Sequence, residues 1–321
     1  MTAPGTAPRY EPAHEPVMLA EVLEGLAVRP GGNYVDATVG LGGHAAAILD
    51  AASPRGRLLG VDRDPQAIDV SRERLARFGA RAVIVHGEFG DLERVATEAG
   101  FHDVDGVLLD LGLSSMQLDA PGRGFAFQRD EPLDMRMDRS RGETASDLVN
   151  GLGERELADV IYRYGEERRS RAIARAIVAR RPIETTGALV SAIEQAVGRG
   201  RERQIHPATL TFQALRIAVN QEMDHLERGL PQAHGLLDGA GARLVVIAFH
   251  SLEDRIVKDY FRLESTDCIC PPRLPVCVCG HVATLRVVTK RVRRPSAAEV
   301  ARNARARSAR MRVAEALDRA A

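Results

Sequence analysis

The stretch Tyr34-Val-Asp36-Ala-Thr-Val-Gly40-Leu-Gly42-Gly43-His44 decides the fold. A short apolar run ends in an acid, a glycine-rich turn follows, and Ala45 to Ala51 then reads as a helix. Glycines at such a turn let backbone N–H groups and the helix N-terminus approach a ligand closely. Outward from it, Arg57-Leu-Leu-Gly-Val-Asp62 is a second strand, followed by a helix from Pro65 to Arg77 with proline in its first turn. Ala82 to His86 and Gly106 to Asp110 are two further strands. Continuous apolar strands alternating with helices predict an α/β fold, a doubly wound parallel sheet covered on both faces.

The alternation stops near residue 118. Residues 119–142 are loop-like, 144–198 read as helical, and a long helix is expected from Pro207 to Arg228. The apolar strand Arg243 to Phe249 then resumes the sheet. The expected organisation is a mobile tail over 1–13, one discontinuous α/β domain over 14–117 and 208–321, and an inserted all-helical domain over 118–207.

With 321 residues, 45% of them hydrophobic and 27% charged, the chain has the make-up of a globular protein. The longest strongly apolar run, Leu244 to Phe249, is far short of a membrane span. Residues 1–14 lack the features of a secretory signal, so the cytoplasm is the expected compartment. The formal net charge of zero hides an asymmetry: residues 1–150 carry 15 basic and 24 acidic side chains, whereas 151–321 carry 29 and 20. Neutrality therefore does not exclude an RNA partner.

Three acids stand at expected strand ends. Asp62, 22 residues after Gly40, is placed to accept hydrogen bonds from ribose hydroxyls. The loop itself fits two cofactors, since Gly40-x-Gly42-x-x-Ala45 also matches the NAD fingerprint. Asp36 favours S-adenosylmethionine, because a carboxylate there holds a cationic amino group and repels a pyrophosphate. Asp110 ends the fourth strand, at the edge where open α/β sheets bind ligands. A hydrogen-bond acceptor at that place can align an exocyclic base amine, a poor nucleophile whose lone pair is delocalised into its ring. An NAD-dependent dehydrogenase and a non-catalytic RNA-binding assembly factor are the alternatives.

The motifs His14-Glu-Pro-Val-Met18, Asp36 to His44, Val61-Asp-Arg-Asp-Pro65, Leu108 to Ser115, Arg123-Gly-Phe-Ala-Phe127 and Pro132 to Asp138 stand in order. They continue with Tyr164 to Arg168, His206-Pro-Ala-Thr209, Thr211 to Arg216 and Phe249 to Lys258. Together they resemble the bacterial S-adenosylmethionine-dependent methyltransferases that modify N4 of a cytosine in 16S ribosomal RNA, over about residues 14–312. The resemblance implies a class I methyltransferase (Rossmann-like) core with a helical insertion. It implies cofactor contacts at Gly42, Gly43, His44, Asp62, Phe89, Asp110 and Gln117, with Asp110 as the catalytic candidate. It also implies the small ribosomal subunit or its RNA as partner, and neither membrane nor DNA. DNA amine methyltransferases carry Pro-Pro and an aromatic after the fourth-strand polar residue; here Leu111-Gly-Leu113 follows Asp110. Stacking of the cytosine is therefore expected from Phe125, Phe127 or His250.

Five further features stand out. Ser251 and Asp254 read as a capping box. Asp134, Arg136 and Asp138 form either an ion-pair network or a substrate contact. Cys268, Cys270, Cys277 and Cys279 form C-x-C…C-x-C, a thiolate set for zinc or else a reduced, redox-labile loop. Arg286 to Arg312 holds 10 basic residues and one acid, Glu299, and reads as an RNA-phosphate surface. Arg168, Arg169, Arg171, Arg175, Arg180 and Arg181 offer a second basic surface.

Overall fold

The computed structural model describes residues 15–198, 206–271, 274 and 276–318, so the expected tail over 1–13 lies outside the described residues. Its strands are β1 (Asn33–Asp36), β2 (Arg57–Asp62), β3 (Ala82–His86), β4 (Gly106–Asp110), β5 (Arg243–Ala248), β6 (Leu285–Val287) and β7 (Arg310–Ala316). They form one seven-stranded sheet in the order β3-β2-β1-β4-β5-β7-β6. β1 to β5 are parallel, and β7 runs antiparallel between β5 and β6. That order, with one reversed strand, is the class I methyltransferase sheet.

Successive strand residues point to opposite faces, and both faces are apolar. Tyr34, Leu58, Leu108, Val245 and Ile247 face one layer, α1 (Leu19–Leu26), α2 (Gly43–Ala51) and α3 (Pro65–Leu75). Val35, Leu59, Val107, Leu109 and Val246 face the other, formed by α4 (Leu92–Glu98), α11 (Glu222–Gly235) and α12 (Ser251–Glu264). This double burial is why the strands read as unbroken hydrophobic runs.

Between the fourth and fifth strands lie α5 (Ser115–Asp119), α6 (Ala145–Gly151), α7 (Glu154–Gly165), α8 (Ser170–Val178), α9 (Thr186–Val197) and α10 (Ala208–Asn220). A separate core unites them, with Leu157, Ile161, Ile173, Ile177, Leu189, Ile193, Phe212 and Leu215 buried together. α13 (Ala297–Arg302) precedes β7. Among the described residues no helix is long and apolar enough to cross a membrane.

Two sequence expectations are corrected, and one element is new. The helix expected from Pro207 to Arg228 is two helices, α10 and α11, broken at Gln221 with φ 49°. The break frees the Asn220 side chain to donate to Met135 C=O (2.8 Å) and accept from Met137 N–H (2.8 Å), which anchors the 119–142 loop. The cap of α12 is His250 with Glu253, not Ser251 with Asp254. Ser251 instead donates to Glu166, and Asp254 pairs with Arg312 at 2.7 Å. Finally, the basic segment contains sheet: β7 buries Met311 and Val313 next to β5.

Candidate active site

The order of β3-β2-β1-β4-β5 places the switch in chain direction between β1 and β4, where open sheets bind ligands beyond the strand carboxyl ends. A pocket partly open to solvent lies there. It is lined by the Gly40–His44 turn without Gly42, by Asp62, Phe89, Asp110 and Gln117, and by Phe249, Glu222 and Glu253.

The glycine turn is built by backbone demands. Gly42 caps α2 with φ 75°, a conformation that favours glycine. Gly43 lies beneath the N-terminal segment, where an added Cβ would sit 2.5 Å from Pro16 Cγ. His44 ties the two together, its buried ring donating through Nε2 to Val17 C=O at 2.9 Å. Its Nδ1 lies 3.6 Å from Asp110 Oδ2. Asp62 accepts Gly40 N–H through Oδ2 (2.8 Å) and Asp64 N–H through Oδ1 (2.9 Å), so this strand-end acid fixes the turn as well as lining the pocket.

Asp36 is buried at the end of β1 and pairs across the sheet with Leu108 and Gly60. Burial pushes its carboxyl up to about 7, with the Thr38 N–H partly opposing and the Asp62 charge adding. Burial likewise raises Asp62 to about 6. Asp110 is raised well above the usual carboxylate range by burial, then by the charges of Asp36 and Glu253. Asp36 Oδ2 and Asp110 Oδ1 are buried with no hydrogen-bond partner. Each such orphan costs about 1–3 kcal/mol unless a ligand supplies a donor or a positive charge. Asp110 and Asp62 line the pocket whereas Asp36, buried at the end of β1, is not among the lining residues; the wall these acids form suits a cation with hydroxyls, and a pyrophosphate would be repelled. S-adenosylmethionine, with its ammonium, sulfonium and ribose diol, fits this set.

Phe89 sits just after β3 and is pinned edge-on to His225, with ring centroids 6.2 Å apart. Gly229 of α11 leaves room for it, since a Cβ there would lie 2.7 Å from Phe89 Cδ2. Gln117 lines the pocket, but its amide is engaged: Oε1 accepts from Ser114 N–H (2.9 Å) and Nε2 donates to Asp64 (3.0 Å). Asp64 is the hub of this wall. It caps α3 through Gln66 N–H (3.0 Å) and forms a buried ion pair with Arg123 at 2.7 Å. Arg123 also donates to the carbonyls of Arg136 (3.2 Å) and Met137 (3.0 Å), which docks the 119–142 loop onto the pocket.

Matching residues 11–317, the model of the MraW methylase family covers nearly the whole chain. The chain belongs to the MraW methylase family. A Geobacter sulfurreducens protein named ribosomal RNA small subunit methyltransferase H is 57% identical over 309 residues, covering 95% of this chain and 99% of its own. Proteins of the same name from Thermomicrobium roseum and Dehalococcoides mccartyi are each 55% identical, covering 94% of this chain and 93% and 86% of their own. The chain is thus an S-adenosylmethionine-dependent methyltransferase, and the NAD reading of the glycine loop is set aside.

Several expected residues lie elsewhere. Phe125 is buried in the helical core, and Phe127 packs on Phe212 and His206 with centroids 5.1 and 4.8 Å away. His250 is folded onto its own helix, 3.1 Å from Glu253. None of these three lines the pocket, whereas Phe249, Leu113 and Met137 do. Asp134 pairs with Arg136 (2.7 Å) and Arg139 (3.1 Å), and Asp138 with Arg141 (3.0 Å), so this cluster is an ion-pair network that orders the loop.

Sequence reasoning missed Glu222 and Glu253. Burial raises Glu253, but His250, Arg216 and the Phe249 N–H (2.8 Å) prevail and hold it below its ordinary value. Glu222 is gripped by Arg216 through two bonds of 2.8 and 2.7 Å. The signal for Glu253 was its place three residues after His250, which reads as a cap only once β5 is known to end at Ala248.

The basic segment is mostly neutralised. Arg286, Arg293, Arg302, Arg305, Arg310 and Arg312 pair with Glu315, Glu24, Glu15, Asp119 and Asp254. Counting acids inside the segment was therefore misleading. Among the described residues, Lys290, Arg291, Arg294 and Arg307 make no ion pair. In the helical insertion, Arg181 donates to Val149 C=O (2.8 Å) and to Leu152, Arg169 donates to Val197 C=O (3.0 Å), and Arg175 faces Glu154 (3.4 Å).

Proposed function

We propose that this chain methylates the exocyclic N4 of a cytosine in 16S ribosomal RNA, on the RNA itself or on the small subunit, in the cytoplasm. The observation that carries the reading is Asp110, a strand-end carboxyl with a buried, unpartnered oxygen in the pocket wall. Bound S-adenosylmethionine supplies an electrophilic sulfonium methyl. A positive charge in the pocket draws the raised carboxyls of Asp36 and Asp110 back to their ionised forms. Asp110 then accepts from the cytosine amine N–H, which favours a pyramidal nitrogen and holds it in line. Asp62 holds the ribose, Phe89 lies against the adenine, and the Gly42-Gly43-His44 turn holds the methionine end.

The target base would leave its stack at a cost of about a few kcal/mol and enter between the sheet domain and the helical insertion, whose core takes in α10 and so extends past the expected bound at residue 207. Phe249 also lines the pocket, its ring against Gly112 two residues beyond Asp110, and is the aromatic that would meet the base. The named relatives act on small-subunit ribosomal RNA, which supports the choice of RNA. A non-catalytic assembly factor would have no use for two half-buried strand-end acids, Asp62 and Asp110, lining a pocket beside the buried Asp36. Nucleoside mass spectrometry of ribosomal RNA from cells with and without the chain tests the reading. Loss of N4-methylated cytidine is expected in the deletion, and an unchanged level overturns it.

A further inference from the structure

The segment between α12 and β6 has neither helix nor strand among its described residues, and it is not held by a hydrophobic core. Val276 and Val278 are 69% and 76% exposed, and Ile269 is 50% exposed. Loops of about 20 residues without structure of their own are uncommon in compact domains, so this one needs another constraint. Its base is closed: Thr284 N–H donates to Glu264 C=O (2.8 Å), its hydroxyl to Glu264 Oε2 (2.6 Å), and the His281 ring bonds Leu263 C=O (3.0 Å).

Inside that base the four cysteine sulfurs converge from two directions. Cys268 Sγ lies 3.5 Å from Cys277 Sγ and 3.9 Å from Cys279 Sγ. Cys277 Sγ lies 4.0 Å from Cys270 Sγ and 3.6 Å from Cys279 Sγ. Four sulfurs about 2.3 Å from one central ion stand about 3.8 Å apart, the edge of a tetrahedron; these four separations bracket that length, and all four sulfurs lie within 4.8 Å of one another. They are far beyond a disulfide bond of about 2.05 Å, and all four thiols are free. The backbone repeats the same symmetry. Ile269 N–H, inside the first C-x-C, points at Cys279 Sγ, and Val278 N–H, inside the second, points at Cys270 Sγ, both at 3.4 Å. Donors aimed at sulfur from the opposite pair are what thiolates need in order to carry charge.

We propose that Cys268, Cys270, Cys277 and Cys279 bind one structural zinc ion, closing the α12–β6 loop as a metal knuckle. Zinc suits a closed four-thiolate shell, and the absence of an open position makes the site structural. A second group of metal-ligand type, Glu222, His250 and Glu253, is already neutralised: Arg216 grips Glu222, and Glu253 caps α12.

The test uses the full chain, purified without chelator and without a histidine tag. Elemental analysis is expected to give about one zinc per chain, and a thiol-specific mercurial should release it as the cysteines are titrated. The double variant Cys268→Ser/Cys279→Ser is expected to lose the zinc while still binding S-adenosylmethionine by calorimetry, which shows that its core is folded. Less than about a tenth of an equivalent of zinc in the wild-type chain overturns the proposal, as does iron in its place. An intact mass lowered by the hydrogens that two disulfides remove also overturns it. So does zinc that persists in the double variant, because the ion then sits elsewhere.

Discussion

Replacing Asp36 by Asn should stabilise the ligand-free protein and abolish cofactor binding. Asp36 is 1% exposed, and its carboxyl is raised from 3.8 to about 7 in the folded chain. An acid raised in this way contributes stability that is fully present below its unfolded value and is lost as pH rises through its folded one. Relative to an unshifted group, its ionisation costs about 2 kcal/mol at pH 5.5 and about 4 kcal/mol at pH 8. Asn removes that charge and leaves a buried amide whose own cost, about 1–3 kcal/mol, does not vary with pH. The difference between Asp36→Asn and wild type should therefore shift by about 2 kcal/mol in favour of the variant from pH 5.5 to pH 8. Urea unfolding at a series of pH values measures this: groups remote from Asp36 cancel in the difference, and Asp62 and Asp110, whose carboxyls repel it, shift the difference in the same direction. In the wild type, S-adenosylmethionine at about 100 times its Kd should restore about 2.7 kcal/mol, and in the variant it should add none. Parallel curves for the two proteins across that range, or equal stabilisation by the cofactor, would show that the Asp36 charge is not the strained group that the cofactor relieves.

Asp110→Asn should lower methyl transfer by about 100-fold or more, read in single-turnover assays with labelled cofactor, and a wild-type rate would remove Asp110 from the chemistry. Arg123→Met leaves Asp64 charged and unpaired in the interior, so urea unfolding should show a loss of about 3–5 kcal/mol; a change below about 1 kcal/mol would mean the pair is solvated. Gly43→Ala forces a Cβ against Pro16 and should weaken S-adenosylmethionine binding at least about tenfold in calorimetry, with an unchanged Kd counting against the close approach. Arg291→Ala, Arg294→Ala and Arg307→Ala should each flatten the salt dependence of RNA binding by about one unit of slope, whereas the ion-paired Arg310→Ala should not; equal effects at all four would refute the division into free and paired arginines.

What the sequence disclosed depended on the range of the interactions involved. Asp36, Asp62 and Asp110 were legible because a βα repeat puts the last residue of each strand at the ligand edge, a consequence of local pattern and parallel topology alone. Gln117 was legible as a position, but its engagement by Asp64 required knowing that the loop after β2 meets α5. Glu253 was hidden because serine is the stronger cap former, so Ser251 drew the reading, while the end of β5 made His250 the cap. β7 was hidden because arginines at positions 310 and 312 obscure the alternation of Met311, Val313 and Glu315. Their countercharge, Asp254, comes from α12 on a different part of the chain.

Charge pairing in the basic segment is equally long-range. A segment with one internal acid looked like a phosphate surface, yet the partners of Arg293 and Arg302 lie 269 and 287 positions away in sequence. Those distant pairs do structural work, clamping residues 286–312 to α1 and to the N-terminal approach to the pocket. Arg305, bonded to Asp119 by two contacts of 2.7 Å, carries the segment to the pocket rim. A basic run is evidence for a nucleic-acid partner only to the extent that folding leaves it unpaired. In this chain that leaves, among the described residues, Lys290, Arg291, Arg294 and Arg307 as the cations of the segment free to meet phosphate.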